Sequence, residues 1–139
     1  MSTILLTMVG ILFAALSTTA WFVYYDEDSG WAVEGGLSAS HGITSLEQIA
    51  ASYAAANGAR PQKLADLDGV DLPELPRFPG AAWEIANGHV CLKGTHGTAA
   101  DRALLHGANR LKPKAMITGE CGGTTPPSEV VVLSYPLAS

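Results

Sequence analysis

Charge is what this chain has least of. Acidic and basic residues make up 15% of its 139 positions, against about 25% in an ordinary soluble domain. None of them falls before Asp26. With eight Lys and Arg against 13 Asp and Glu, the net charge is −5, which excludes a nucleic-acid binder built on overall positive charge. Only two cysteines are present, too few for a cysteine-rich scaffold or a four-thiolate metal site. Aromatics are sparse at 7%. The apolar content of 47% excludes a disordered chain. At this length there is room for one small domain beside a separate hydrophobic segment.

That segment is Met1 to Tyr25, and it carries no charge. As a helix rising about 1.5 Å per residue it reaches about 37 Å, enough to cross a hydrocarbon core of about 30 Å with some tilt. Trp21, Phe22, Tyr24 and Tyr25 cluster where such a helix meets the headgroups, and Asp26, Glu27 and Asp28 follow directly. The acidic flank places the C-terminal side outside the cytoplasm. No basic residue precedes the run, so the usual positive start of a signal peptide is missing. Two readings fit: a secretory signal with an atypical start, cut after Thr18-Thr19-Ala20, or, as the favoured expectation, a retained segment whose charged leader has been removed so that Met1 is the mature N-terminus.

Cys91 and Cys121 lie beyond this segment, where an oxidising compartment makes a disulfide the simplest pairing. It closes a loop of about 30 residues, worth about 3–4 kcal/mol on the chain-entropy account. The competing reading is a metal site drawn from His89, Cys91, His96, His106 and Cys121, whose spacing matches no standard zinc pattern.

Gly30, Gly35, Gly36 and Gly42 predict an interrupted helix and a hinge over residues 26–43. Thr44-Ser45-Leu46-Glu47 has the form of a capping box, and Leu46, Ile49, Ala50 and Tyr53 give an apolar stripe ending at Asn57-Gly58. An amphipathic helix of about 13 residues is expected from Thr44. A short helical turn near Leu64–Leu67 and an extended stretch through Pro73, Pro76 and Pro79 follow. Asn87-Gly88, flanked by Trp83, Ile85, Val90 and Leu92, predicts a β-hairpin of residues 82–86 and 89–93. Residues 99–106 suit a short helix ended by Gly107, and Glu129 to Tyr135 is the strongest strand signal.

Catalytic constellations are thin. Asp66, Asp68 and Asp71 lack the calcium-loop pattern, and Ser38, Ser40 and His41 sit together on a glycine-rich stretch. Gly94 and Gly97 lack the Lys and Ser/Thr of a phosphate-binding loop. No enzyme activity, cofactor or metal is expected.

The order of elements resembles the type IV pilin and pseudopilin superfamily, and Tyr53 to Pro61 with Leu64 and Leu67 is similar to the Tyr…Asn-Gly…Pro…Leu stretch of many members. An apolar run opening on Met resembles the subclass whose mature chain starts with Met, so Met1 is the position where N-terminal methylation is implied. The resemblance implies an α+β fold: a hydrophobic transmembrane or filament-core helix (residues 1–25), the hinge (26–43), and a pilin-like domain (44–139). In that domain an amphipathic helix packs on a small antiparallel sheet, with a disulfide-closed loop towards the C-terminus. It also implies a bacterial cell-surface filament, anchored in the inner membrane with its C-terminal domain in the periplasm before assembly. The expected partners are further copies of the chain and an assembly machinery. Leu5, Leu6, Val9, Leu12, Phe13 and Leu16 are the expected core packing.

One departure stands out. Most members carry a glutamate at the fifth mature position, and this chain has Leu5. That substitution keeps an alternative open, a minor pilin or bitopic inner-membrane protein whose periplasmic domain binds another envelope component. Residues 26–76 hold nine acids and two bases, whereas residues 77–139 hold four acids and six bases. Within the second half, Arg102, Arg110, Lys112 and Lys114 are the expected contact for a polyanion or a neighbouring subunit. With no aromatic interleaved, nucleic acid is the weaker of the two.

Overall fold

The computed structural model describes the backbone of residues 2–138 and the side chains of residues 3–15 and 32–138. The fold is α+β. Helix α1 spans Ser2–Asn57 and is followed by a short 3-10 helix, Leu64–Leu67. Strands β1 (Ala82–Ala86) and β2 (His89–Thr95) precede helix α2 (Thr98–Arg110), and β3 (Met116–Thr118) and β4 (Val130–Pro136) complete the chain. All strand pairs are antiparallel, in the order β1-β2-β4-β3. The chain forms two compact units, residues 1–31 and residues 32–139.

The expected hairpin is present with the expected boundaries on its first strand. Asn87 and Gly88 both take positive φ, 52° and 73°, as a two-residue type I′ turn requires. Strand β4 reads as a continuous apolar run because both its faces are covered. Val131 and Leu133 join the main core, while Val132 packs with Cys91 and Cys121 on the opposite side. The main core gathers Ile43 and Leu46 of α1, Val90 and Leu92 of β2, and Leu104 of α2. Each of these five is fully buried, worth about 1.5–3 kcal/mol apiece in transfer free energy.

The helix interruption expected within residues 26–43 is not seen. Helical backbone runs through those positions to Asn57, and the helix ends at Gly58, with φ 75° and its N–H donating to the Ala54 carbonyl at 2.8 Å. Within the second unit the glycines serve packing instead. A Cβ at Gly36 would strike His106 Cβ and come within 3.0 Å of the Gly107 nitrogen, and one at Gly35 would lie 3.0 Å from Ala103 Cβ. Gly42 faces the ring of Trp83 closely enough that a Cβ would overlap it. On the other helix, Gly107 approaches Ala39 Cβ and the Gly36 carbonyl. Gly35, Gly36 and Gly107 let α1 and α2 cross at near backbone contact, so their lack of a side chain matters more than their weak helix propensity.

Two further expectations change for the same reason. Thr44 starts no helix. It lies inside α1, where its hydroxyl donates to the Ser40 carbonyl at 2.9 Å, the i−4 bond available to a threonine in a helix interior. Helix α2 does not stop before Gly107 but continues to Arg110. The fourth strand, β3, carried no signal of its own in the sequence.

Among the described residues no helix is long and apolar enough to cross a membrane. The described apolar side chains of α1 cover residues 3–15, which at about 1.5 Å per residue make about 20 Å of helix. The membrane-spanning expectation for residues 1–25 also needs residues 16–25, whose side chains lie outside the described set. So do Leu16 and the aromatics Trp21, Phe22, Tyr24 and Tyr25, and Met1 lies outside the described backbone as well.

Candidate functional site

Three features are candidates for function: the apolar part of α1 in the first unit, and in the second unit the disulfide-bounded face of the sheet and the basic end of α2.

In the first unit, the apolar side chains from Ile4 to Phe13 are strongly exposed, from 54% at Val9 to 73% at Leu6 and Phe13. At about 100° per residue they cover about 220° of the helix circumference, and the remaining side carries Thr3, Thr7, Gly10 and Ala14. Thr7, a polar residue among them, turns its hydroxyl back to the backbone, donating to the Thr3 carbonyl at 2.7 Å. An apolar helix face this wide is ordinarily covered by a neighbour. Leu5 stands among these side chains at 71% exposure, with no acid in the described stretch 3–15.

Cys91 and Cys121 are bonded, with S–S 1.98 Å and Cα–Cα 5.7 Å. Cys91 sits in β2 on the face turned away from the helices, and Cys121 follows β3. The bridge thus fastens the segment after β3 across the back of the sheet. Around it is a small polar network. The Ser134 hydroxyl, buried in β4, accepts from the Gly122 N–H at 3.2 Å and lies 3.4 Å from Cys91 Sγ. A disulfide sulfur has no proton, so the hydroxyl is the donor of that pair. The Thr118 hydroxyl donates to the Glu120 carbonyl at 2.7 Å, and Asn87 Nδ2 donates to the Cys121 carbonyl at 3.0 Å. The hairpin turn and the disulfide segment therefore hold each other.

This pairing consumes both thiols of the considered metal set, and among the described residues no three His, Cys, Asp or Glu side chains converge on one point. His96 instead lies 3.0 Å from Asp101 by Nδ1, and the Asp101 carboxylate also accepts from the Gly97 N–H at the start of α2. The sequence neighbours Ser40 and His41 do not face each other: Ser40 is buried with its hydroxyl donating to the Leu37 carbonyl, while His41 is exposed. Asp66 caps the 3-10 helix by accepting from the Gln62 and Lys63 N–H groups at 2.8 and 3.2 Å. Gly94 lies in β2 under the Phe78 ring, where a Cβ would come within 2.7 Å, so its lack of a side chain serves packing.

The four basic residues singled out in sequence follow one another along α2 and the turn after it. Arg102 and Arg110 are exposed on α2, and Lys112 and Lys114 are exposed in the turn that leads to β3. Among the described residues, none of the four takes part in a salt bridge. By contrast Lys93 Nζ meets Glu84 at 2.7 Å across the β1–β2 pair, and its Oε2 has lost contact with water.

Sequence reasoning missed two features here. One is the indole N–H of Trp83, which donates to the Pro73 carbonyl at 2.9 Å and ties the proline-rich stretch to β1. The other is the exposure of Val70, Leu72 and Leu75 within that stretch. Their interleaving with Asp68, Asp71 and Glu74 was the available signal.

Comparison with family models, with curated proteins and with solved structures finds no match to this chain.

Proposed function

We propose that this chain is a structural subunit of a type IV pilus-like extracellular filament, polymerising through its N-terminal hydrophobic helix. The observation that carries the reading is the apolar surface exposed around residues 4–12 of α1. Seven side chains there are of the Ile, Leu, Val and Met type. At about 1.5–3 kcal/mol for full burial of each, half-burial of the set against neighbours is worth on the order of 5–10 kcal/mol, less when the helix leaves lipid rather than water. In this reading Leu5, Leu6, Val9 and Leu12 pack the filament core, joined by Phe13 and Leu16. Before assembly the same helix anchors the subunit in the inner membrane, with the disulfide-bonded domain in the periplasm.

The rest of the chain is consistent with a subunit held rigid for packing. The fold is α+β, α1 supplies Ile43, Leu46 and Ala50 to the core under the sheet, and a disulfide fastens the C-terminal segment. These are the features the pilin resemblance implies.

One observation favours a second reading, a minor pilin or bitopic envelope protein that does not form the main filament. With Leu5 at the position where the family carries glutamate, the charge pairing that registers neighbouring helices is missing. A charge placed in the apolar helix, together with the behaviour of the unaltered chain, separates the two. Leu12→Lys in the full chain should abolish filaments in the sheared surface fraction while leaving the protein in the cells. If the unaltered protein yields no filaments, the second reading replaces the first.

A further inference from the structure

The described surface of the second unit carries two patches that combine apolar side chains with charge, and they are opposite in sign. The first is the stretch after the 3-10 helix. Asp68, Asp71 and Glu74 are exposed there with no base between Leu64 and Pro76, and Val70, Leu72 and Leu75 expose 46%, 38% and 39% of their surface between them. The second runs from α2 into β3. Arg110, Lys112 and Lys114 are exposed with no acid from Arg102 to Met116, and the exposed side chains of Leu105 and Met116 accompany them. On α2 itself the buried positions Ala100, Ala103, Leu104, Gly107 and Ala108 define the inner face, so Arg102 and Leu105, three apart, share the outward one.

The two patches lie at opposite edges of the sheet. The acidic stretch is tied to the edge strand β1 through the bond from Trp83 to the Pro73 carbonyl. The basic turn leads directly into β3, the other edge strand. Three strand spacings of about 4.8 Å separate those edges, so roughly 14 Å of sheet lies between them. They cannot meet within one copy. Complementary patches on opposite sides of one molecule make a heterologous contact, which repeats from copy to copy rather than closing as a dimer with two-fold symmetry.

We propose that the acidic stretch 68–75 of one copy docks on the basic end of α2 and the turn 110–116 of the next. The occupant of each patch is thus a second copy of this chain. The proposal rests on the filament reading and names the contact between its globular parts. Charge sets the register and the exposed apolar side chains are removed from water between the copies. An exposed ion pair is worth about 1.5- to 5-fold in an equilibrium constant, so losing two weakens the contact by about 2- to 25-fold. The attraction is screened as the Debye length falls from about 10 Å at 0.1 M salt to about 3 Å at 1 M.

The test is zero-length carboxylate–amine cross-linking on cells producing the full chain and on their sheared surface fraction, followed by peptide mapping of the double-mass band. The expected product joins Asp68, Asp71 or Glu74 to Lys112 or Lys114. Its yield should drop by about 2- to 25-fold in R110E/R102E, which leaves every reactive carboxylate and lysine in place, and further in D71K/E74K, which also removes two of the three reactive carboxylates. Combining the two sets should restore the cross-linked dimer through the remaining Asp68. Filaments without this cross-link would overturn the contact and leave the filament reading standing. The cross-link without filaments would support the contact and overturn the filament reading. Equal yields in all variants would overturn the contact.

Discussion

Replacing Gly36 by alanine sets two physical effects against each other. In an exposed helix interior the change stabilises, by about 1 kcal/mol on propensity alone. At Gly36, however, the new methyl would strike His106 Cβ and stand 3.0 Å from the Gly107 nitrogen and 3.1 Å from the Ala103 carbonyl oxygen. Two of those neighbours are backbone atoms, so no rotamer change relieves the crowding. Overpacking of this kind costs about 1–3 kcal/mol, and a backbone obstacle belongs at the upper end. The expected balance is a net loss of about 1–2 kcal/mol, a fall in melting temperature of about 4 °C or more. The assay is thermal unfolding of the full chain in detergent followed by circular dichroism, with Gly10→Ala as control, since a Cβ at Gly10 meets nothing within 4 Å. A flexible hinge would give the opposite sign. A melting temperature of Gly36→Ala equal to or above that of the unaltered chain would refute the packing of α1 on α2.

Removing the bridge with Cys91→Ser and Cys121→Ser, 30 residues apart, should lower stability by about 3–4 kcal/mol, read as a shift of the urea midpoint. Gly88→Val should cost more than about 1 kcal/mol, because φ is 73° there and a Cβ would lie 2.8 Å from Arg60 Nη2; the same urea titration reads it. Trp83→Phe removes the 2.9 Å bond to the Pro73 carbonyl, worth about 0.5–1.5 kcal/mol. It should speed proteolytic cleavage between residues 68 and 76, whereas an unchanged cleavage rate would show that the indole does not hold the stretch.

How much of this was legible depended on whether the cause was local. The hairpin was, because Asn87 and Gly88 encode their turn by backbone preference alone. Glu129 to Tyr135 was legible as a strand, since a β-branched apolar run covered on both faces needs no alternation. The cysteine pairing followed from there being only two. The glycines were misread because the same residue serves a helix break and a close helix crossing, and only the position of α2 decides between them. Spacing held the missed signal: Gly35 and Ala39, like Gly36 and Ser40, place small residues one turn apart on one face. Thr44 has the residues of a capping box, but a helix already present offers its hydroxyl the Ser40 carbonyl instead. Strand β3 has only three residues, too short for a period-2 pattern, and depends on β4 for its pairing. At the surface, the basic residues were legible only as a run along the sequence. Their separation from the acidic stretch by the width of the sheet is a matter of strand order, which no local pattern encodes.

The central claim is that the apolar stretch of α1 is covered by other copies of the chain. Electron microscopy of the sheared surface fraction from producing cells, with intact-mass measurement of the same fraction with and without reductant, tests it most directly. The account predicts thin filaments composed mainly of this chain, carrying an N-methylated Met1 and a mass that rises by two hydrogen atoms when the reductant converts Cys91–Cys121 to two thiols. The chain recovered only from membranes, with no filament in the sheared fraction, would contradict it.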